Sequence, residues 1–241
     1  MPKIPVTTNW NPNFDDRPTS EVPRIKFSEK FSAPYLEKRT LILEIGCGTG
    51  SYTRLIDRPG CFALDIDINV IKIAKKYCTS SEFIVASALN LPFQEEIFDL
   101  ICIWGVFEEI PEGSEKQVVV EVERTLTSNS VFVLSAYNDH ILSKILDPAY
   151  IFRGIRHYDL KRFLNLLSEG GLFVNRYTIR GGYNTLAANF LLYFYKHILN
   201  RKEGRLKNFF DKKSTKELNS DEDGIVYIFI AGYKKNVFRL S

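Results

Sequence analysis

The sequence predicts an α/β fold: a doubly wound, mostly parallel, seven-stranded sheet with an α-helical insertion before its last strand. Three observations predict it. From residue 40 onward, apolar runs of strand length alternate with stretches whose apolar residues recur at helical spacing. The first of those runs empties into a turn with glycines at positions 46, 48 and 50. The last two strand-like runs are separated by residues 181–224, far more chain than a hairpin needs.

Taken in order, residues 1–34 hold six of the ten prolines among Asn, Asp and Ser, which reads as an extended arm with a short helix near "FSEKF" (27–31). "TLILEI" (40–45) is the first strand, followed by a helix over 50–57. "CFALDI" (61–66) is the second strand, and 69–77 is a helix with apolar residues at 70, 71, 74 and 77. "EFIVA" (82–86) and "IFDLICIW" (97–104) are the third and fourth strands. Residues 114–126 form a helix with Ser114 as N-cap, and "SVFVLSA" (130–136) is the fifth strand.

The helix at 159–171 is announced by its ends. Asp159 caps it, Leu160, Phe163, Leu164 and Leu167 make a stripe, and Gly170-Gly171 stops it. Strands at 172–180 and 225–233 complete the sheet. Between them lie an apolar helix at 186–199 and a basic stretch, with eight Lys/Arg against two acids from 196 to 216. The expected organisation is an arm (1–39), one domain (40–180 with 225–241), and an inserted lid or substrate-facing element (181–224).

At 241 residues with 45% hydrophobic and 25% charged side chains, the chain has the composition of a soluble globular protein. A net charge of +3 is too mild to imply nucleic-acid binding. Cys47, Cys61, Cys78 and Cys102 form no metal-type spacing, so free thiols in a reducing cytosol are expected. The start has no signal-peptide pattern, no apolar run approaches the roughly 18 residues of a membrane span, and a cytoplasmic location is the expectation.

The glycine turn carries the functional information. A dinucleotide fingerprint is GxGxxG, but here the third glycine is Gly50 and position 51 is Ser. A nicotinamide-dependent oxidoreductase is thereby disfavoured. The same turn carries a carboxylate, Glu44, inside an apolar run, where a charge is costly unless paired.

With "LEIGCGTG" the chain resembles the class I S-adenosylmethionine-dependent methyltransferases, especially the small-molecule group that includes quinone-biosynthesis enzymes. The resemblance continues through "FALDIDINVIKIAKK", "FIVASALNLPFQEEIFDLI", "RTLTSNSVFVLSA" and "HYDLKRFLNLLSEGGLFV", covering about residues 40–180 and omitting the arm and the insertion. It implies a Rossmann-like methyltransferase fold with S-adenosyl-L-methionine as cofactor. Gly46, Cys47, Gly48 and Gly50 would then face its methionine end, with Glu44 as counter-charge to the ammonium. Asp65 would accept from both ribose hydroxyls, and Ile66 would pack on adenine. Ser87 stands where the family usually has Asp for the adenine amino group, a departure; Ala88 would offer its N–H. Trp104, ending the fourth strand, joins the cofactor set. For Asp65 the plain alternative is an N-cap, a job for which Asp67 or Asn69 is better placed.

Two residues are candidates for the chemistry. Glu109, in "WGVFEEIPE", takes the place of a family His and could serve as base or orient an acceptor. His157 matches the family's "HY" pair with Tyr158, and histidine is the residue type suited to proton transfer. The structural alternatives are a solvent-facing Glu and a loop-packing pair; His140 and Tyr137 are weaker candidates. No Asn/Asp-Pro-Pro-aromatic tetrad and no Pro-Cys is present, which argues against exocyclic-amine and cytosine C5 methylation, and no clustered acids suggest a metal.

The expected activity is methyl transfer to a small molecule, most simply O-methylation of a lipid-, isoprenoid- or saccharide-type acceptor, without nucleic acid. Peripheral membrane contact is expected through 186–213, against the alternative of a packed helix and a solvated charged loop. The alternative of another class is an inactive, cofactor-binding partner subunit. Nothing in the sequence marks an oligomeric state.

Overall fold

The computed structural model describes residues 22–37, 39–197, 199 and 204–234, and organises them around one seven-stranded sheet. The expectations for 1–21, 200–203 and 235–241 therefore lie outside the described residues. Strands β1 (Ile42–Ile45), β2 (Cys61–Asp65), β3 (Glu82–Val85), β4 (Phe98–Trp104) and β5 (Leu126–Tyr137) are parallel. β7 (Tyr227–Lys234) runs antiparallel between β5 and β6 (Leu172–Arg180). The order is β3-β2-β1-β4-β5-β7-β6, so the chain winds outward in both directions from β1 and β4. In such sheets a crevice opens beyond the carboxyl ends of the strands at that switch point.

Strand periodicity of two sorts the side chains to two faces. Leu43, Ile45, Ile101 and Ile103 enter the core formed with α3 (Glu115–Thr125) and α6 (Leu160–Glu169). Ile42, Leu100, Cys102 and Trp104 enter the opposite core, with Phe27, Phe31 and Phe229. Glu44 pairs in register with Cys102, which places this carboxylate on the second face.

That second face is covered by segments beyond the expected domain. The short helix expected at 27–31 is the longer α1 (Pro23–Leu36). It buries Phe27 edge-on to Phe229, with centroids 4.6 Å apart. The insertion is a helical hairpin, α7 (Tyr183–His197) and α8 (Arg205–Asn219), and α8 stands where a solvated loop was one alternative. Its buried residues are Lys207, Ser214 and Leu218, a mostly polar stripe that gives no apolar periodicity to read. Two further short helices, α4 (Ile141–Ile145) and α5 (Pro148–Arg153), follow β5.

The helix expected at 50–57 is also different: only Thr53–Leu55 turn, as one 3₁₀ step. The residues that would begin it are drawn inward. The Tyr52 hydroxyl bonds Ser32 of α1 at 2.7 Å. The Thr53 hydroxyl is taken by Glu44. α2 (Ile68–Tyr77) begins at Asp67, whose carboxylate accepts from the Asn69 N–H, as the capping alternative anticipated. Ser114 precedes α3 but makes no capping bond, whereas Asp159 caps α6 through the Arg162 N–H.

Candidate functional site

Glu44 sits at the carboxyl end of β1, 3% exposed. It accepts a 2.5 Å hydrogen bond from Thr53 Oγ1. Burial, with the negative Asp65 nearby, raises its carboxyl to about 8 against the pull of the Thr53 bonds. A carboxylate held there in the folded chain asks for a cationic neighbour.

The glycines beside it have distinct tasks. Gly46 has φ +72°, and a Cβ on it would stand 2.3 Å from Val106 Cγ2, so the turn presses against the segment after β4. Gly48 has φ +53° and open space where its Cβ would be. Its N–H donates to Asp65 Oδ2 at 2.9 Å, while Asp65 Oδ1 accepts from the Asp67 N–H. Asp65 keeps unused lone pairs on both oxygens, and burial raises its pKa. Ile66 next to it is 57% exposed, an apolar side chain open to solvent. Ser87 Oγ accepts from the Leu89 N–H, and Ala88 is half-buried beside it. Cys47 is buried in the turn, where burial pushes its thiol up.

These groups fit the cofactor that the sequence resemblance implies. Glu44 is a buried carboxyl that a bound ammonium would ionise. Gly48 leaves backbone room for an amino-acid moiety, Asp65 retains acceptor capacity for vicinal hydroxyls, and Ile66 offers an apolar surface for a base.

Trp104 is different. It ends β4 buried at 5% exposure, its ring 5.2 Å from that of Tyr52, and its Nε1–H has no acceptor among the described residues. It belongs to a second set of buried polar groups. Arg24 of α1 lies against Gly105, since a Cβ on that glycine would stand 2.8 Å from Nη1. The guanidinium is 5.6 Å from the Tyr227 ring centroid, and Nη1 is 3.9 Å from Glu108 Oε1. Tyr137 pairs in register with Tyr227, their rings 5.0 Å apart, and burial raises the Tyr137 hydroxyl well above its usual range.

The two candidate catalytic residues fall in contrasting places. Residues Phe107–Glu109 form a 3₁₀ turn, which points consecutive side chains about 120° apart. Phe107 enters the core, Glu108 is buried, and Glu109 faces outward to Arg153 Nη2 at 3.2 Å. Glu109 is thus not among the groups that converge. His157 is buried, with Nδ1–H donating to the Asn138 carbonyl and Nε2 3.1 Å from Asp147 Oδ2. Its ring stacks on Tyr137 at 5.0 Å. Both nitrogens are engaged, so in this arrangement His157 orients Tyr137 and ties β5 to α5. His140 caps α4 through Nδ1, and Tyr158 donates to the Phe107 carbonyl. Arg24, Glu108, Asp147 and Tyr227 escaped sequence reasoning. The one available signal was Glu108 beside Glu109 in the same short motif.

Among the described residues, no group of three or more His, Cys, Asp or Glu could hold a metal ion, and the four cysteines are free. No described helix is long and apolar enough to cross a membrane.

Comparison with known proteins bears on the domain and the fold. A protein-family profile described as "Methyltransferase domain" matches residues 43–134. An uncharacterized protein of Methanocaldococcus jannaschii is 30% identical over 128 residues, 53% of this chain and 47% of its own length. The tRNA (carboxymethyluridine(34)-5-O)-methyltransferase of Arabidopsis thaliana is 30% identical over 105 residues, 42% of this chain and 25% of its own. The chain thus spans about half the length of the first of these relatives and a quarter of the second. Among solved structures, the geranyl diphosphate C-methyltransferase of Streptomyces coelicolor, in complex with Mg2+, geranyl diphosphate and S-adenosyl-L-homocysteine, superposes with a TM-score of 0.60 at 10% identity. That match covers 87% of this chain and 79% of that one. At such identity the likeness establishes the fold. Together, these findings give the chain a methyltransferase domain at 43–134 within the Rossmann-like fold of the S-adenosylmethionine-dependent methyltransferases.

Proposed function

We propose that this protein binds S-adenosyl-L-methionine and transfers its methyl group to an oxygen of a small molecule with an apolar body, of lipid, isoprenoid or saccharide type. The observation that carries the reading is Glu44, a buried carboxylate with one hydroxyl partner, set over a glycine turn with open backbone at Gly48. When bound, the cofactor supplies an activated methyl group on a sulfonium. The chain's own residues then have the tasks of holding the donor, aligning the acceptor, and excluding water. Glu44 neutralises the ammonium, Asp65 fixes the ribose, and α1 with the α7–α8 hairpin roofs the face on which Trp104 and Tyr137 stand.

An apolar acceptor is favoured by the surface beside that roof. Ile141, Ile145, Ile151 and Phe152 are 68%, 60%, 57% and 74% exposed, on α4 and α5. Phe190 and Phe194 of α7 are also exposed, and Phe152 stacks on Tyr193 of the same helix. The same surface, with the lysines of α8 nearby in the hairpin, suits peripheral contact with an anionic membrane. A second reading, methylation of tRNA, is favoured by the Arabidopsis relative and by the basic character of α8.

Isothermal titration with S-adenosyl-L-homocysteine and with NAD tests the donor site: binding of the first and not the second is expected, and the reverse would overturn it. Incubation with S-adenosylmethionine labelled on the methyl group, against separate lipid, polar-metabolite and bulk tRNA fractions, tests the acceptor. Label in the lipid or polar fraction is expected. Label confined to tRNA would replace the proposal with the second reading. Binding with no transfer would favour an inactive partner subunit, for which Ser87, in place of the usual acid, is the sequence feature.

A further inference from the structure

The methyl-transfer reading leaves one question open at the acceptor side: which group receives the proton of a hydroxyl acceptor. We propose that Glu108 is that general base, held in place by Arg24, and that the exposed Glu109 beside it has no part in the chemistry. The inference rests on the reading above and on four observations.

Glu108 is 3% exposed, and neither carboxylate oxygen accepts a hydrogen bond among the described residues. A carboxylate in that state is costly to the fold and demands a donor. Its charge partner, Arg24, stands off at 3.9 Å, too far for a hydrogen bond and near enough to sustain a negative charge. A second orphan is the Trp104 Nε1–H, buried at the end of β4 without an acceptor among the described residues, and the next residue, Gly105, lies against the same Arg24. One unused acceptor and one unused donor are what a hydroxyl-bearing ligand satisfies. Finally, Gly46 packs on Val106, two residues before Glu108, so the turn facing the donor and the turn bearing this carboxylate are in direct contact.

The groups around Glu108 come from every neighbouring element. Arg24 is on α1, Glu109 on its own turn, Asp147 caps α5, Tyr137 is on β5, and Tyr158 precedes α6. Burial lifts the Glu108 carboxyl to about 7, with Arg24 drawing it down and Glu109 and Asp147 adding to the rise. A base in that range is matched to neutral pH. In the step, the acceptor oxygen forms its bond to the methyl carbon. The carbon–sulfur bond breaks with its electron pair left on sulfur, and the hydroxyl proton passes to a Glu108 oxygen. The sulfonium becomes a neutral thioether, and Glu108 is left protonated, to be released to solvent as product leaves.

The experiment compares wild type, Glu108→Gln, Glu109→Gln and Arg24→Met. S-adenosyl-L-homocysteine titration should give the same affinity for all four, separating this idea from the donor site. Carboxyl titration by NMR on 13C-glutamate protein bound to S-adenosylhomocysteine should show one resonance titrating near neutrality. It should vanish in Glu108→Gln, persist in Glu109→Gln and move to higher pH in Arg24→Met. Labelled methyl transfer into the responsive extract fraction, at saturating donor, should rise with pH through about 7 in wild type and Glu109→Gln. In Glu108→Gln it should fall at least a hundredfold and lose that rise. A Glu108→Gln protein with wild-type rate and pH profile, or a neutral-range resonance that survives the change, overturns the proposal while leaving the donor reading intact. Absence of S-adenosyl-L-homocysteine binding by the wild type overturns both, whereas binding with no transfer to any fraction overturns the proposal and the transfer reading and leaves the donor site standing.

Discussion

Glu44 and Glu108 are both buried carboxylates at or just beyond the carboxyl ends of central strands, yet the surroundings of the two are built differently. On the donor side, Glu44, Gly46, Gly48 and Asp65 come from two adjacent strand ends and the turn between them, within 22 residues of chain. On the acceptor side, Arg24, Glu108, Tyr137, His157 and Tyr227 come from five separate segments. The donor half is a local motif stabilised by backbone geometry. The acceptor half exists only once α1, α5 and β7 have docked. Under the proposed function, binding of the constant ligand would be encoded in the turn, and choice of the variable one in tertiary packing.

The sharpest way to break that comparison is at Glu44. Replacing it with glutamine removes the carboxylate proposed to face the ammonium and keeps the shape and the Thr53 contact. We expect S-adenosyl-L-homocysteine affinity to fall about a hundredfold, near 2.7 kcal/mol, with the folded structure retained. The sign of the pH dependence follows from the raised carboxyl. In the free protein Glu44 holds its proton up to about pH 8, whereas in the unfolded chain it ionises near 4.5. Its contribution to stability therefore declines as pH rises through that window. Ligand binding, which favours the ionised form, strengthens as pH rises from 6 to 8, approaching tenfold per unit. Calorimetry in buffers of different ionisation enthalpy should detect the proton released on binding at pH 6.5. The Glu44→Gln protein should show neither the pH slope nor that proton, and an unchanged slope would refute the donor assignment.

The turn itself sharpens the contrast further. Gly46→Ala places a methyl group against Val106 and should cost about 2–3 kcal/mol of stability, read by chemical denaturation, through clash and left-handed strain together. Gly48→Ala meets open space in the free protein and should cost only the strain, about 1 kcal/mol. It should nevertheless weaken homocysteine-analogue binding more than tenfold, because the methyl enters ligand space. If Gly48→Ala binds normally, that space is not where the amino-acid moiety lies.

How much of this was legible before folding depends on the same division. The seven strands and the carboxylate with its glycines could be read because alternation and turn chemistry are local signals. The helix expected at 50–57 failed because tertiary partners, Ser32 for Tyr52 and Glu44 for Thr53, outcompeted helical propensity. Glu109 was singled out because it stands where the resembled family has His, and nothing local in the sequence shows that the 3₁₀ turn buries Glu108 and leaves Glu109 outside. α8 went unread because it docks through Lys207 and Ser214 where apolar residues would ordinarily mark a buried stripe.

That polar docking gives the last and smallest prediction, on the acceptor side alone. Glu217 of α8 accepts from the backbone N–H groups of Gly182, Asn184 and Thr185, at 2.9, 3.0 and 2.9 Å, and from the Thr185 hydroxyl. It serves the orphan donors at the start of α7 from another helix, a cap no local sequence pattern encodes. Burial alone would raise its carboxyl, but the bonds from Asn184 and Thr185 prevail and hold it below the ordinary range. A depressed carboxyl contributes stability that is present above about pH 4.5 and is lost as pH falls through its folded value. Glu217→Gln should therefore cost about 1–2 kcal/mol at pH 7, a cost that shrinks as pH falls below the ordinary carboxylate range. Hydrogen exchange at 182–186 should quicken, and homocysteine-analogue affinity should stay within twofold, since the α7–α8 hairpin roofs the acceptor half only. A matching loss of donor affinity would mean that the two halves of the crevice fold as one unit, and that the division drawn between them is wrong.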